Sequence, residues 1–145
     1  MNAEKNDLDK LVDRLLKIGG ERVVLQPDTS EFITELRSRG QRFLGYKAKR
    51  FVGTASRCHS NCAIRYLQYI NRQTDYSFCQ IVTGYALSAD GLWRQHTWLL
   101  ADTNVVESTT PRTHYFGVVL AIPEAAKFSL SQVLSLLQEL NDCKY

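Results

Sequence analysis

Cys58-His59-Ser60-Asn61-Cys62-Ala63-Ile64-Arg65-Tyr66-Leu67-Gln68-Tyr69-Ile70-Asn71 is the stretch on which the fold turns. Ala63, Tyr66, Leu67 and Ile70 fall on one helical face, and Cys58, Asn61, Cys62 and Arg65 fall together on the neighbouring one. The spacing predicts a central helix with Cys58 at its start. Downstream the composition becomes β-type in four runs: Phe78 to Leu87, Leu92 to Leu100, Val105 to Thr109 and Tyr115 to Ile122. Between them stand Ala89-Asp90-Gly91, Asp102-Thr103-Asn104 and Thr110-Pro111-Arg112, turn compositions at hairpin spacing. A meander of four antiparallel strands is expected to follow the helix.

Upstream, Leu8, Leu11, Val12, Leu15 and Leu16 form an apolar stripe that stops at Gly19-Gly20, predicting a helix over 6–18. Pro27-Asp28-Thr29-Ser30 reads as a turn feeding a second helix through Phe32, Ile33 and Leu36 to Gly40. From Gly40 to Ser56 no period survives, so loop with room for a short strand is expected. At the other end, Ser129 with Gln132 fits a capping box, opening a helix that carries Leu130, Val133, Leu134, Leu137 and Leu140 on one side. That side is expected to lie against the sheet. The order gives an α+β fold in one domain, 1–145: a helical part at 1–40, a core at 56–122 and a closing helix at 129–142.

A chain of 145 residues is long enough to bury roughly two-thirds of its unfolded surface. Its 44% hydrophobic content separates it from disordered sequences. The charged run from Glu4 to Arg14 leaves no room for the apolar core of a signal peptide, and no apolar stretch approaches membrane-spanning length. A cytoplasmic protein with no membrane association is the expectation. Cys58, Cys62, Cys79 and Cys143 then read as free thiols or as chemistry rather than disulfides. A net charge of +3 is too small to point to nucleic acid. Arg37, Arg39, Arg42, Lys47, Lys49 and Arg50 do crowd one stretch, which reads either as a solvated basic face or as the contact surface of a weak acidic partner.

Chemistry is concentrated around Cys58. A helix N-terminus offers partial positive charge and free N–H groups, the conditions that stabilise a thiolate. A thiolate nucleophile needs an imidazole to exchange protons with it, and a third polar group to fix that ring. His96 lies mid-strand in Trp93-Arg94-Gln95-His96-Thr97-Trp98. Asp90 and Asp102 are each six residues from it, ~20 Å along an extended strand. If Asp102-Thr103 closes a two-residue hairpin, residue 98 faces 107 and Glu107 shares a face with His96, ~7 Å away on the diagonal. A register slip of one residue would turn Glu107 to the other face.

Cys58-His59-Ser60-Asn61-Cys62-Ala63, then Gly84-Tyr85-Ala86, His96-Thr97-Trp98, Val105-Val106-Glu107-Ser108-Thr109 and Tyr115-Phe116-Gly117 together resemble a bacterial and phage branch of the papain-like and transglutaminase-like cysteine enzymes. In those enzymes a helix-borne cysteine precedes a histidine strand and an acid-bearing strand. The resemblance spans about residues 56 to 120. It implies a papain-like core in which Cys58 is the nucleophile, His96 the base and Glu107 the orienting acid. The acid is more often Asp in such motifs, and Cys62 stands where a small residue is usual, so it competes with Cys58. Asn61 matches a motif position, with contact to the site backbone or capping of a turn as its open roles.

The implied activity is a cysteine hydrolase or acyltransferase acting on an amide, isopeptide or ester bond of a protein, peptide or small molecule. Tyr85, Trp98 and Tyr115 are candidate groove walls or supports, with core packing as their plain alternative. The second oxyanion donor is expected from the loop around Thr54 to Ser56. The competing reading is a catalytically silent binding module using the basic stretch. Cys58, His59, Cys62, His96 and His114 lack the paired spacing of a structural zinc site, and no phosphate-binding glycine loop is present, so neither metal nor cofactor is expected.

Overall fold

A computed structural model describes residues 6–27 and 29–143; Asp28 of the expected first turn, and Glu4 and Lys5 of the charged N-terminal run, lie outside them. Helix α1, Asp7–Ile18, opens on Asn6, whose side chain accepts from the Asp9 N–H, and is closed by Gly19. Strand β1, Arg22–Val23, leads towards α2, Ser30–Arg39, capped by the Thr29 hydroxyl. Strands β2, Gln41–Leu44, and β3, Lys49–Arg50, precede α3, Cys58–Ile70. Then come β4, Cys79–Leu87; β5, Leu92–Ala101; β6, Asn104–Glu107; β7, His114–Val119; and α4, Ile122–Asp142.

The class is α+β, with four helices and a curled, mixed sheet of seven strands among the described residues. The sheet is therefore larger than the four strands expected. The additions β1, β2 and β3 are only two to four residues long, too short to show a period of two. Nor are the four main strands a meander. The path runs β2-β7-β4-β5-β6-β3, with β1 added beside the start of β5, so β7 returns to pair with β4 rather than with β6.

Strand alternation sorts the interior. Leu11, Leu15 and Leu36 of α1 and α2 pack with Tyr85, Trp93 and Phe116, while Cys62, Tyr66 and Ala125 of α3 and α4 pack with Ile81, Leu99 and Val106. By the period of two these sheet residues belong to one face. The opposite face carries Val82, Ala86, Trp98 and Tyr115, covered by Phe43 and Ala48. His96 shares that second face with Trp98. Gly117, opposite Gly84, makes room there: a Cβ at Gly117 would sit 2.7 Å from the Trp98 ring and 2.8 Å from the Thr83 carbonyl.

The closing helix departs most from expectation. It begins seven residues before Ser129, because Pro123 is suited to a first turn and the Glu124 carboxylate accepts the Ala121 N–H. Ser129 is fully buried mid-helix with an unpartnered hydroxyl. The buried side of α4 is Ala125 and Ser129, packed towards α3, whereas Leu130, Leu134, Leu137 and Leu140 are 51–61% exposed. The leucine stripe thus faces away from the sheet. No helix among the described residues is long and apolar enough to cross a membrane.

Candidate active site

The turn between β5 and β6 fixes the site's register. Asp102 and Thr103 both take positive φ, 50° and 73°, as a two-residue hairpin turn requires, and Ala101 faces Asn104. Continuing that register puts Trp98 opposite Glu107, so Glu107 shares the face of His96. The ladder itself stops at Leu99–Val106, while the other edge of β6 pairs with β3 through Lys49–Val106 and Arg50–Glu107. Past Leu99 the edge of β5 is therefore free to meet the start of α3.

His96 and Glu107 meet at 2.7 Å, Nε2 to Oε1, both buried. The carboxylate is saturated. Oε1 also accepts from the Thr109 hydroxyl at 3.2 Å and its N–H at 3.4 Å, Oε2 accepts from the Tyr115 hydroxyl at 2.7 Å, and Arg112 stands 4.0 Å away. Burial alone would push the Glu107 carboxyl up, but the His96, Tyr115 and Arg112 contacts bring it below its ordinary value. With Nε2 committed to Glu107, Nδ1 is the ring nitrogen left for Cys58, whose thiol is one of the groups that raise His96.

Burial raises the Cys58 thiol, yet the hydrogen bond and charge of His96, with a bond from the Thr97 backbone, leave it below a free thiol's value. Burial lowers His96, yet the bonds to Cys58 and Glu107 leave it raised. Each shift favours thiolate, imidazolium and carboxylate together. The start of α3 adds to this: its N-cap, Arg57, makes no side-chain cap bond, and its first turn holds no acidic residue. The first N–H groups of the helix therefore keep their capacity to receive an anion.

Cys62 stands one turn on, fully buried, its thiol donating to the Thr97 carbonyl at 3.5 Å. Burial, and the negative charge of Cys58 and Glu107, hold it protonated, with its pKa raised well above that of a free thiol. The two cysteines that compete in sequence are thus distinguished by environment.

Asn61 ties the preceding loop to the helix. Its Oδ1 accepts the Thr54 N–H at 3.0 Å, and its Nδ2 donates to the Thr54 carbonyl at 2.8 Å and to the Ser108 hydroxyl at 3.2 Å. Gly53 permits this approach, since a Cβ there would lie 2.6 Å from Nδ2 of Asn61. The Thr54 N–H is occupied by Asn61 and the Arg57 N–H by the Thr54 carbonyl, so neither is a free oxyanion donor.

Trp98 and Tyr115 lie behind the site. The Trp98 ring stacks on His96 at 6.1 Å between centroids, and Tyr115 holds Glu107, both at 0% exposure. They support the polar residues and offer no wall to a ligand. Tyr85 is placed elsewhere, in the core under α1 and α2. Asp90 pairs with Arg94 at 2.8 Å, and Asp102 accepts the Ser77 and Phe78 N–H groups, so both rejected acids serve turns. Among the described residues no three His, Cys, Asp or Glu side chains are grouped to hold a metal, and His114 lies beside Arg42 at the start of β7.

Thr97, Thr109 and Arg112 are contributors that sequence reasoning passed over. Thr109 closes a quoted motif, and Arg112 reads only as turn composition. The signal for both is their distance from Glu107, two and five residues, within the connection between β6 and β7. The chain matches no family model, no curated protein and no solved structure.

Proposed function

We propose that the protein is a cysteine hydrolase or acyltransferase with a papain-like arrangement of its core, working through a thioester on Cys58. The observation that carries this reading is the line Cys58–His96–Glu107, closed by the 2.7 Å buried bond between imidazole and carboxylate. In the proposed cycle the Cys58 thiolate attacks the carbonyl carbon of an amide, isopeptide or ester, and the oxyanion gathers at the Cys58 N–H and the uncapped first turn of α3. The His96 imidazolium gives its proton to the departing amine or alcohol as the C–N or C–O bond breaks. The neutral imidazole then takes a proton from water or an acceptor amine, whose attack on the thioester frees the thiolate. Glu107 keeps the ring oriented throughout and stabilises its charged form.

Iodoacetamide labelling at neutral pH tests the reading. Cys58 is expected to react on the order of 10²-fold faster than exposed Cys143, as a low-pKa thiol does. His96→Ala, with the fold verified by circular dichroism, is expected to remove that advantage. Equal rates at Cys58 and Cys143 in the unsubstituted protein would leave no activated nucleophile.

A further inference from the structure

Arg65 belongs to the same helix face as Cys58, and the reaction outlined above gives it no task. It lies seven residues on, ~10 Å along the axis and within ~20° of the same direction. Its guanidinium is held over the rings of Tyr76, at 5.2 Å, and Phe51, at 5.6 Å. Nε donates to the Tyr76 hydroxyl at 3.4 Å and Nη1 to the Gln68 side chain at 3.2 Å. These partners fix the fork without neutralising it, and no Nη2 bond is spent on them. Among the described residues no carboxylate comes within 4.0 Å of Arg65 or of Arg50.

Both arginines line one groove of about 620 Å³ between α3 and the segment from Arg50 to Thr54, with Asn61 and Gln68 on its helix side. Its outer wall is anchored to the candidate site, because the Arg50 backbone lies opposite Glu107 in the β3–β6 ladder and the Phe51 N–H donates to the Glu107 carbonyl at 3.0 Å. The cleft on the other flank of α3 is of another kind. It is lined by Gln26, Phe32, His59, Gln95, Phe128 and Gln132, with no Arg, Lys, Asp or Glu. The two clefts flanking α3 therefore differ in charge, and of the two it is the α3–β3 groove that presents cations with no carboxylate within 4.0 Å.

We propose that this groove binds a carboxylate of the substrate, an acidic side chain about three extended residues from the carbonyl attacked by Cys58. The separation follows from ~10 Å divided by ~3.3 Å per residue of extended chain. Arg65 supplies a preorganised fork and Arg50 the second charge, a pairing suited to a planar carboxylate. The specificity rests on the cysteine-enzyme reading, whereas the binding itself does not.

Two measurements keep these apart. In Cys58→Ser protein, dansyl-Gly-Gly-Glu amide is expected to bind about tenfold more tightly than its Gln counterpart, by fluorescence titration. Arg65→Gln should abolish the preference, Arg65→Lys should keep part of it, and Arg50→Gln should reduce it. Equal affinities for the two peptides, or a preference that survives both Arg65→Gln and Arg50→Gln, overturn the proposal. In the unsubstituted protein, bromoacetyl-Gly-Gly-Glu amide should alkylate Cys58 about tenfold faster than the Gln peptide, the thiolate displacing bromide as the C–S bond forms. If iodoacetamide finds no activated thiol while the dansyl preference holds, the enzyme reading falls and the groove stands. If iodoacetamide finds one and both Glu preferences are missing, the groove falls and the enzyme reading stands.

Discussion

The first and second turns of α3 each carry a cysteine against the same residue of β5, and they treat it oppositely. In an antiparallel strand the N–H and C=O of one residue point to the same side. Thr97 lies beyond the end of the β5–β6 ladder, so both groups on that edge need other partners. The C=O takes the Cys62 thiol, and the backbone bond that lowers Cys58 comes from the same residue. A carbonyl accepts from a thiol and gives a thiolate nothing, whereas an N–H stabilises a thiolate. Burial then holds Cys62 protonated, while His96 offsets burial at Cys58. Side-chain type sets neither outcome. What separates them is that burial goes uncompensated at Cys62, whereas at Cys58 the imidazole, with a smaller contribution from the Thr97 backbone, outweighs it.

Removing Glu107 is the strongest way to break that contrast. Its carboxylate has no exposure and five donor groups around it, so Glu107→Ala leaves His96, Tyr115 and Thr109 without their common partner. The expected cost is about 3–5 kcal/mol in urea unfolding, the range for breaking a buried ion pair from one side. Cys58 should then resemble Cys62, with iodoacetamide reactivity falling to that of an ordinary thiol. Glu107→Gln, which keeps the shape, separates the two effects: stability should recover in part while Cys58 reactivity stays low. Recovery of full reactivity in Glu107→Gln would remove the carboxylate charge from the account.

pH sharpens the same contrast by a smaller margin. Because the Cys58 thiol is lowered and His96 raised, alkylation of Cys58 should persist below ~8.5, where free thiols lose reactivity, and fall only as pH drops through the lowered value. At pH 6.5 the expected advantage over a cysteine peptide is at least about tenfold. The stability contributions have opposite signs. Glu107 is lowered, so its contribution is present above ~4.3 and is lost as pH falls through the folded value. His96 is raised, so its contribution is present below ~6.5 and is lost as pH rises through the folded value. A Cys58 alkylation profile that tracks a free peptide thiol would contradict the lowering of Cys58.

Much of this arrangement is legible in the residue pattern because strong local signals specify it. The helix over 58–70 shows in its period, and the hairpin register shows in Asp102-Thr103, which places Glu107 on the face of His96. A short strand is legible between Gly40 and Ser56, but its bounds, the second strand there and β1 are not, because two to four residues cannot display alternation and their partners lie far along the chain. Position 129 misleads because Ser with Gln three residues on imitates a cap, while the true start uses Pro123 and the Glu124 carboxylate. The leucines of α4 mislead differently: an apolar stripe predicts that something covers it, and α4 turns Ala125 and Ser129 to the body instead. At the site, Asn61 shows in the motif, but its bonds to Thr54 and Ser108 depend on a loop approach that Gly53 permits.

Cys62→Ala is the gentlest test of the two-turn contrast. It removes one buried sulfur and its 3.5 Å bond to the Thr97 carbonyl, leaving a small void among Tyr66, Ile81 and Leu99. A loss of about 1–2 kcal/mol is expected in urea unfolding, from lost apolar burial with incomplete collapse of the void. If the second turn only packs, Cys58 alkylation should stay within about twofold of its original rate, since neither the Thr97 bond nor the His96 bond to Cys58 passes through Cys62. A large drop in Cys58 reactivity, with stability hardly changed, would mean that the Thr97 edge responds as a unit. The thiol below would then be positioning the peptide whose other side lowers Cys58. A large rise would point the same way, because Cys62 would have been restraining Thr97 from a closer approach to the sulfur.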